Sequence, residues 1–145
     1  METGPVVVGM DGGPDSRRAL QWAAEYASAV SAPLLALTAY DLPTVYGPYA
    51  MAGWGNSDEL ENGARTMLDD AIRDILGEGA AVEQHVLRGH PAEALVASSK
   101  DARMVVVGSR GRGGFTGLLL GSVSQHVVAN ARCPVVVLPR QRSAD

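Results

Sequence analysis

Two short segments hold the residues best suited to gripping a ligand. The first, Gly9-Met10-Asp11-Gly12-Gly13, sets one carboxylate among glycines. The second runs Gly108-Ser109-Arg110-Gly111-Arg112-Gly113-Gly114, continues through Phe115–Leu120 and closes on Gly121-Ser122. Glycine lets backbone N–H groups approach an anion closely, and a helix opening at Ser122 would add unpaired amide donors carrying partial positive charge. The hydroxyls of Ser122 and Ser124 and the guanidiniums of Arg110 and Arg112 would add further donors. The second segment therefore reads as a phosphate cradle. A surface loop followed by a serine N-cap is the plainer alternative, and Asp11 reads equally well as a turn residue ahead of a helix.

Composition narrows the chemistry. The chain has 145 residues, 12 basic and 16 acidic, for a net charge of −4. That balance argues against a duplex-binding protein built on a basic face. Eleven of the basic residues are arginine and one, Lys100, is lysine. A Walker-type loop needs Gly-Lys-Ser/Thr, so the position of Lys100 excludes it, and Gly9–Gly13 lacks the dinucleotide fingerprint expected after a first strand. Cys133 is alone, which excludes an internal disulfide and a cysteine-rich metal site. His85, His90 and His126 are scattered, and none accompanies a nucleophile in a triad-like pattern. His90, just ahead of Pro91, suits a helix cap. Cys133, ahead of Pro134, reads as a buried structural thiol.

These segments must be positioned by regular elements. Pro5–Met10, Met104–Gly108 and Pro134–Pro139 are nearly continuous β-branched runs, and Pro33–Tyr40 is similarly apolar. Such runs suit strands covered on both faces. Ala81–Leu87 alternates better and reads as a more exposed strand. Between them lie helical patterns at Asp15–Val30, with Pro14 at the first helical position, and at Asn56–Leu76, Pro91–Lys100 and Ser122–Ala131. Asn56 with Glu59 resembles a capping box, and Gly77 suits a C-terminal stop.

Alternating strand and helix predicts an α/β fold: a five-stranded parallel sheet in the order 3-2-1-4-5 with helices on both faces, in one domain over residues 1–145. Ligands bind such sheets at the carboxyl ends of strands where the winding reverses, here between the first and fourth. Asp11 and the glycine-rich segment should face one another there. The long connection Asp41–Gly55 carries Tyr46, Tyr49 and Trp54, which either cover a ligand or pack on the surface.

Gly108, Gly111 and Gly121-Ser122 give the spacing G-x2-G-x9-G-S, and LGSV is followed by PVVVL. With the opening VVVGMDGGPDSRRAL, these motifs make the chain resemble the universal stress protein family over nearly its whole length, with a Rossmann-like architecture similar to the adenine nucleotide alpha hydrolases. The glycine-serine spacing resembles that of the family's ATP-binding members, so the resemblance implies ATP. By position it implies that Gly9 and Asp11 line the nucleoside, and that Ala39 meets the adenine through its backbone. Val107, Gly108 and Gly111 would border the ribose and phosphates, while Gly121, Ser122, Val123 and Ser124 hold the phosphates. Gly13 departs from the serine often found in the family, and Gly9 replaces other small residues.

The expected role is a nucleotide-dependent sensor or regulator in stress response. A Mg²⁺ ion would accompany the phosphates, with no carboxylate cluster dictating a protein metal site. No general base is placed for an attacking water, so turnover is not expected; a slow ATPase or kinase-like enzyme and a nucleotide-free dimeric scaffold are the competing readings. The last strand, Pro134–Pro139, is a wholly apolar edge, which predicts a homodimer joined through it, unless the tail Arg140–Asp145 covers it. The start of the chain shows no basic segment leading into a long apolar run, and no stretch nears the ~20 apolar residues of a membrane span. A cytoplasmic protein without membrane or nucleic-acid partners is the expectation.

Overall fold

The computed structural model describes residues 3–41, 57–109 and 120–140. Gly111, Arg110, Arg112, Asn56, Tyr46, Tyr49 and Trp54 lie outside the described residues.

The elements alternate as β1 (Val6–Gly9), α1 (Pro14–Ala29), β2 (Leu34–Tyr40), α2 (Ser57–Leu76), β3 (Glu83–Arg88), α3 (Pro91–Ser98), β4 (Met104–Gly108), α4 (Ser122–Asn130) and β5 (Val135–Leu138). All five strands pair in parallel in the order β3-β2-β1-β4-β5. The expected architecture and strand order are both observed. Val6, Val7 and Val8 pair with Leu34, Leu35 and Ala36 on one side and with Met104, Val105 and Val106 on the other. β1 is thereby central, and all three of its valines are buried.

Side chains of successive strand residues point to opposite faces, so the runs divide between two cores. Val6, Val8, Ala36 and Val106 pack with Ala19, Leu20 and Ala23 of α1 and Leu68 and Ile72 of α2. Val7, Leu35, Leu37, Val105 and Val107 pack with Leu95 of α3 and Val127 of α4. Burial on both faces is why these strands show no polar–apolar alternation. β3, at one edge, is more open, as its alternation suggested; at the other edge every residue of β5 is half-buried.

The helix signals act as chemistry dictates. Pro14 opens α1 behind Gly13 as N-cap. Gly77 ends α2 with φ of +88°, a left-handed conformation that glycine adopts without steric cost. His90 occupies the N-cap position of α3, but its side chain makes no capping bond; its imidazole lies 4.0 Å from the Asp41 carboxylate instead. Cys133 is half-buried rather than enclosed, because β5 lies at the sheet edge.

Candidate nucleotide-binding cleft

The turn after β1 is fixed by its own polar groups. The Asp11 carboxylate accepts the Gly13 N–H at 2.8 Å. Ser16, in the first turn of α1, accepts the Asp11 N–H at 3.3 Å and donates its hydroxyl to the Gly13 carbonyl at 3.0 Å. Gly12 takes φ of +83°, which the reversal requires. Asp11 is thus a turn residue, held by its bond to Gly13, and it also lies at the carboxyl end of the central strand.

The facing segment is pinned just as firmly. Gly121 donates its N–H to the Ser109 carbonyl at 2.6 Å, and Ser124 donates its hydroxyl to the Gly108 carbonyl at 2.6 Å. These two bonds bring the start of α4 against the end of β4. The first turn of α4 is bonded from the Gln125 N–H to the Gly121 carbonyl at 2.9 Å, and no side chain caps the helix. The amides of residues 122 to 124 precede that bond and carry the positive end of the helix dipole. Ser124 faces the protein interior, whereas Ser122 is exposed at the helix start.

Between these segments lies a cleft of about 470 Å³, open mouth included. From the expected set it is lined by Gly9, Asp11, Val107, Gly108, Val123 and Ser124. Ser122 lines an adjoining cavity with His90, Glu93 and His126, and this cavity shares Pro91 and Val123 with the cleft. Gly121 sits at the α4 cap. Ala39 is half-buried in β2 and pairs with Leu87; from β2 the described lining residue is Leu37, two positions back on the same face.

Sequence reasoning missed Met10, Ser16, Leu37, Pro91 and Leu95 as lining residues. Leu95 is the most informative of them. A Cβ built on Gly9 would lie 2.9 Å from Leu95 Cδ1 and 3.4 Å from Val107 Cγ1. The bare backbone of Gly9 is what leaves Leu95 and Val107 room to form an apolar floor. Gly108 has a different reason: a Cβ there would fall 2.7 Å from that of Asp15, so glycine permits α1 to approach β4. An apolar floor, a fixed carboxylate and the first amides of α4 suit a ligand with a flat apolar part and an anionic part. Among the described residues, no three His, Cys, Asp or Glu side chains converge in a way that would hold a metal ion.

A family model described as the Universal stress protein family matches residues 2–139. The chain belongs to the universal stress protein family. A universal stress protein of Mycolicibacterium smegmatis is 39% identical over 140 residues, a match covering 92% of this chain and 45% of that one. The chain therefore spans less than half the length of that relative. Two solved universal stress proteins each share 28% identity with it. One, from Archaeoglobus fulgidus in complex with dAMP, has a TM-score of 0.66, over 94% of this chain and 98% of that one. The other, in complex with cAMP, has a TM-score of 0.60, over 95% and 98%. No helix among the described residues is long and apolar enough to cross a membrane.

Proposed function

We propose that this universal stress protein binds an adenine nucleotide, ATP foremost, in the cleft between the carboxyl ends of β1 and β4, and acts as a nucleotide-dependent regulator in stress response. The observation that carries the reading is the juxtaposition at the switch point. Gly9 and Asp11 leave β1 opposite Val107 and Gly108 of β4, with the uncapped start of α4 at the rim. The dAMP and cAMP held by two relatives of the same fold support an adenine nucleotide as the ligand class.

In this reading the base lies on the floor made by Leu37, Leu95 and Val107, with Ala39 toward its edge. The ribose sits beside Asp11 and Gly108. The phosphates meet the amides of Ser122, Val123 and Ser124 and the Ser122 hydroxyl, with Gly111 and Gly121 allowing close backbone approach. Such donors are fixed before the ligand arrives, so little ordering cost accompanies binding. A Mg²⁺ ion would ride on the phosphates, because Asp11 is the one carboxylate among the described lining residues. The protein acts as one domain in the cytoplasm and as a homodimer through Pro134–Pro139.

Calorimetric titration tests the assignment. ATP should bind saturably, and Ser122→Leu or Gly111→Ala should weaken it at least tenfold, equivalent to about 1.4 kcal/mol. Native protein that gives no binding heat with ATP, AMP or cAMP overturns the nucleotide reading. ATP bound with unchanged affinity by both variants overturns the placement of the phosphates.

A further inference from the structure

The opposite end of the sheet carries a second groove that the nucleotide reading does not use. Its described lining residues are Thr3, Tyr26, Arg103, Met104, Arg132, Cys133 and Pro134. It lies where β4 and β5 begin, whereas the nucleotide cleft lies where β1 and β4 end. In a parallel sheet these are opposite ends of the molecule.

Its charge is one-sided. Arg17, Arg65 and Arg73 each meet a carboxylate, on Asp74, Glu61 and Asp70 respectively. Arg103 and Arg132 have no such partner among the described residues, and no carboxylate is found among the groove's described lining. The backbone at both positions is nevertheless tied down. Arg103 donates its N–H to the Pro5 carbonyl at 2.9 Å, and Arg132 donates its N–H to the buried Ser99 hydroxyl at 2.9 Å. Arg103 immediately precedes β4 and Arg132 lies three residues ahead of β5, and both line the groove at the end where these paired strands begin. Two cationic side chains on anchored backbone thus line one groove. Tyr26 forms a wall, its ring stacked on Trp22 with centroids 5.4 Å apart.

We infer that this groove is a second ligand site, independent of the nucleotide cleft, and that it takes a phosphate monoester or free phosphate between Arg103 and Arg132. Two guanidiniums without a carboxylate call for a dianion, and a phosphate monoester carries about −1.5 to −2 at neutral pH. Guanidinium also matches phosphate oxygens in a fork geometry that a single ammonium lacks. The hydroxyls of Tyr26 and Thr3 supply neutral donors at the rim, and the Tyr26 ring offers a face for the organic part of an ester.

Cys133, the only cysteine, lines the groove and serves as a built-in reporter. The rate of its alkylation by N-ethylmaleimide is measured with inorganic phosphate, with phenyl phosphate, and with sodium chloride at matched ionic strength. Saturable slowing of threefold or more by phosphate, absent with chloride and lost in Arg103→Gln and Arg132→Gln, is the expected result. Tighter protection by phenyl phosphate than by phosphate identifies an ester as the better ligand; equal protection identifies the free ion. Protection should persist in Ser122→Leu, which separates this site from the cleft. Equal slowing by chloride and phosphate, or slowing unchanged in folded arginine variants with native melting temperatures, overturns the proposal.

Discussion

Adding one methyl group at Gly108 would press a Cβ to 2.7 Å from Asp15 Cβ and 3.0 Å from the Asp15 carbonyl carbon, where backbone must move. Overpacking of this kind costs about 1–3 kcal/mol, so Gly108→Ala should unfold earlier in thermal denaturation. Gly9→Ala meets the flexible end of Leu95 instead. Its expected signature is a smaller loss of stability but a measurable loss of nucleotide affinity, read by titration. Ser124→Ala removes a hydroxyl that binds the Gly108 carbonyl at 2.6 Å, in a residue 3% exposed. Leaving that carbonyl without its partner should cost about 1–3 kcal/mol in chemical denaturation. At Cys133, burial pushes the thiol up, favouring the neutral form in the folded protein. Its contribution to stability is complete below the ordinary thiol range of about 8.5 and is lost as pH rises through the higher folded value. The pH profile of Cys133 alkylation in the folded protein should lie above that of the denatured chain. None of these contacts is visible in the residue string, because Asp15 and Gly108, or Gly9 and Leu95, meet only after the sheet has assembled.

Elements were far more legible than the contacts between them. The valine runs at 6–8, 105–107 and 135–137 declare strands because residues covered on both faces have no reason to alternate. Pro14 and Gly77 mark helix ends through backbone geometry alone, which needs no tertiary information. His90 was harder to read, since an N-cap position does not dictate which way an imidazole turns. The cleft's outline followed from strand order, yet Leu37 and Leu95 escaped notice because the rotation of α3 over β1 and β2 is set by packing. The edge element β5 carries the prediction proper to this scale. Among the described residues no strand pairs with the outer side of Val135–Leu138, which makes that apolar edge a template for a second copy. A lysine at the centre of that strand, Val136→Lys or Val137→Lys, should halve the mass measured by light scattering if the strand joins two copies. A monomeric native protein would remove the dimer from the proposed function.

For the molecule as a whole, ligand and stability are linked. Nucleotide that binds the folded chain and not the unfolded one should add about 2.7 kcal/mol at a hundredfold excess over Kd. For a chain of 145 residues this corresponds to a rise on the order of 5–10 °C in Tm, checked by thermal denaturation with and without ATP. The two grooves at opposite ends of the sheet make that experiment sharper, since saturating both should give additive shifts if they are independent. The central position of β1 has a further consequence, in time rather than in space. Val6, Val7 and Val8 acquire their β2 neighbours within about thirty residues but must wait for Met104, Val105 and Val106 to be made before their other side is filled. At ribosomal rates of about 5–20 residues per second, the gap between those events lasts several seconds. During that interval the strand destined for the middle of the sheet has an open edge of unpaired N–H and C=O groups set between apolar side chains. The nascent chain is therefore at its most vulnerable to mispairing before β4 emerges, and the last third of the sequence protects the first.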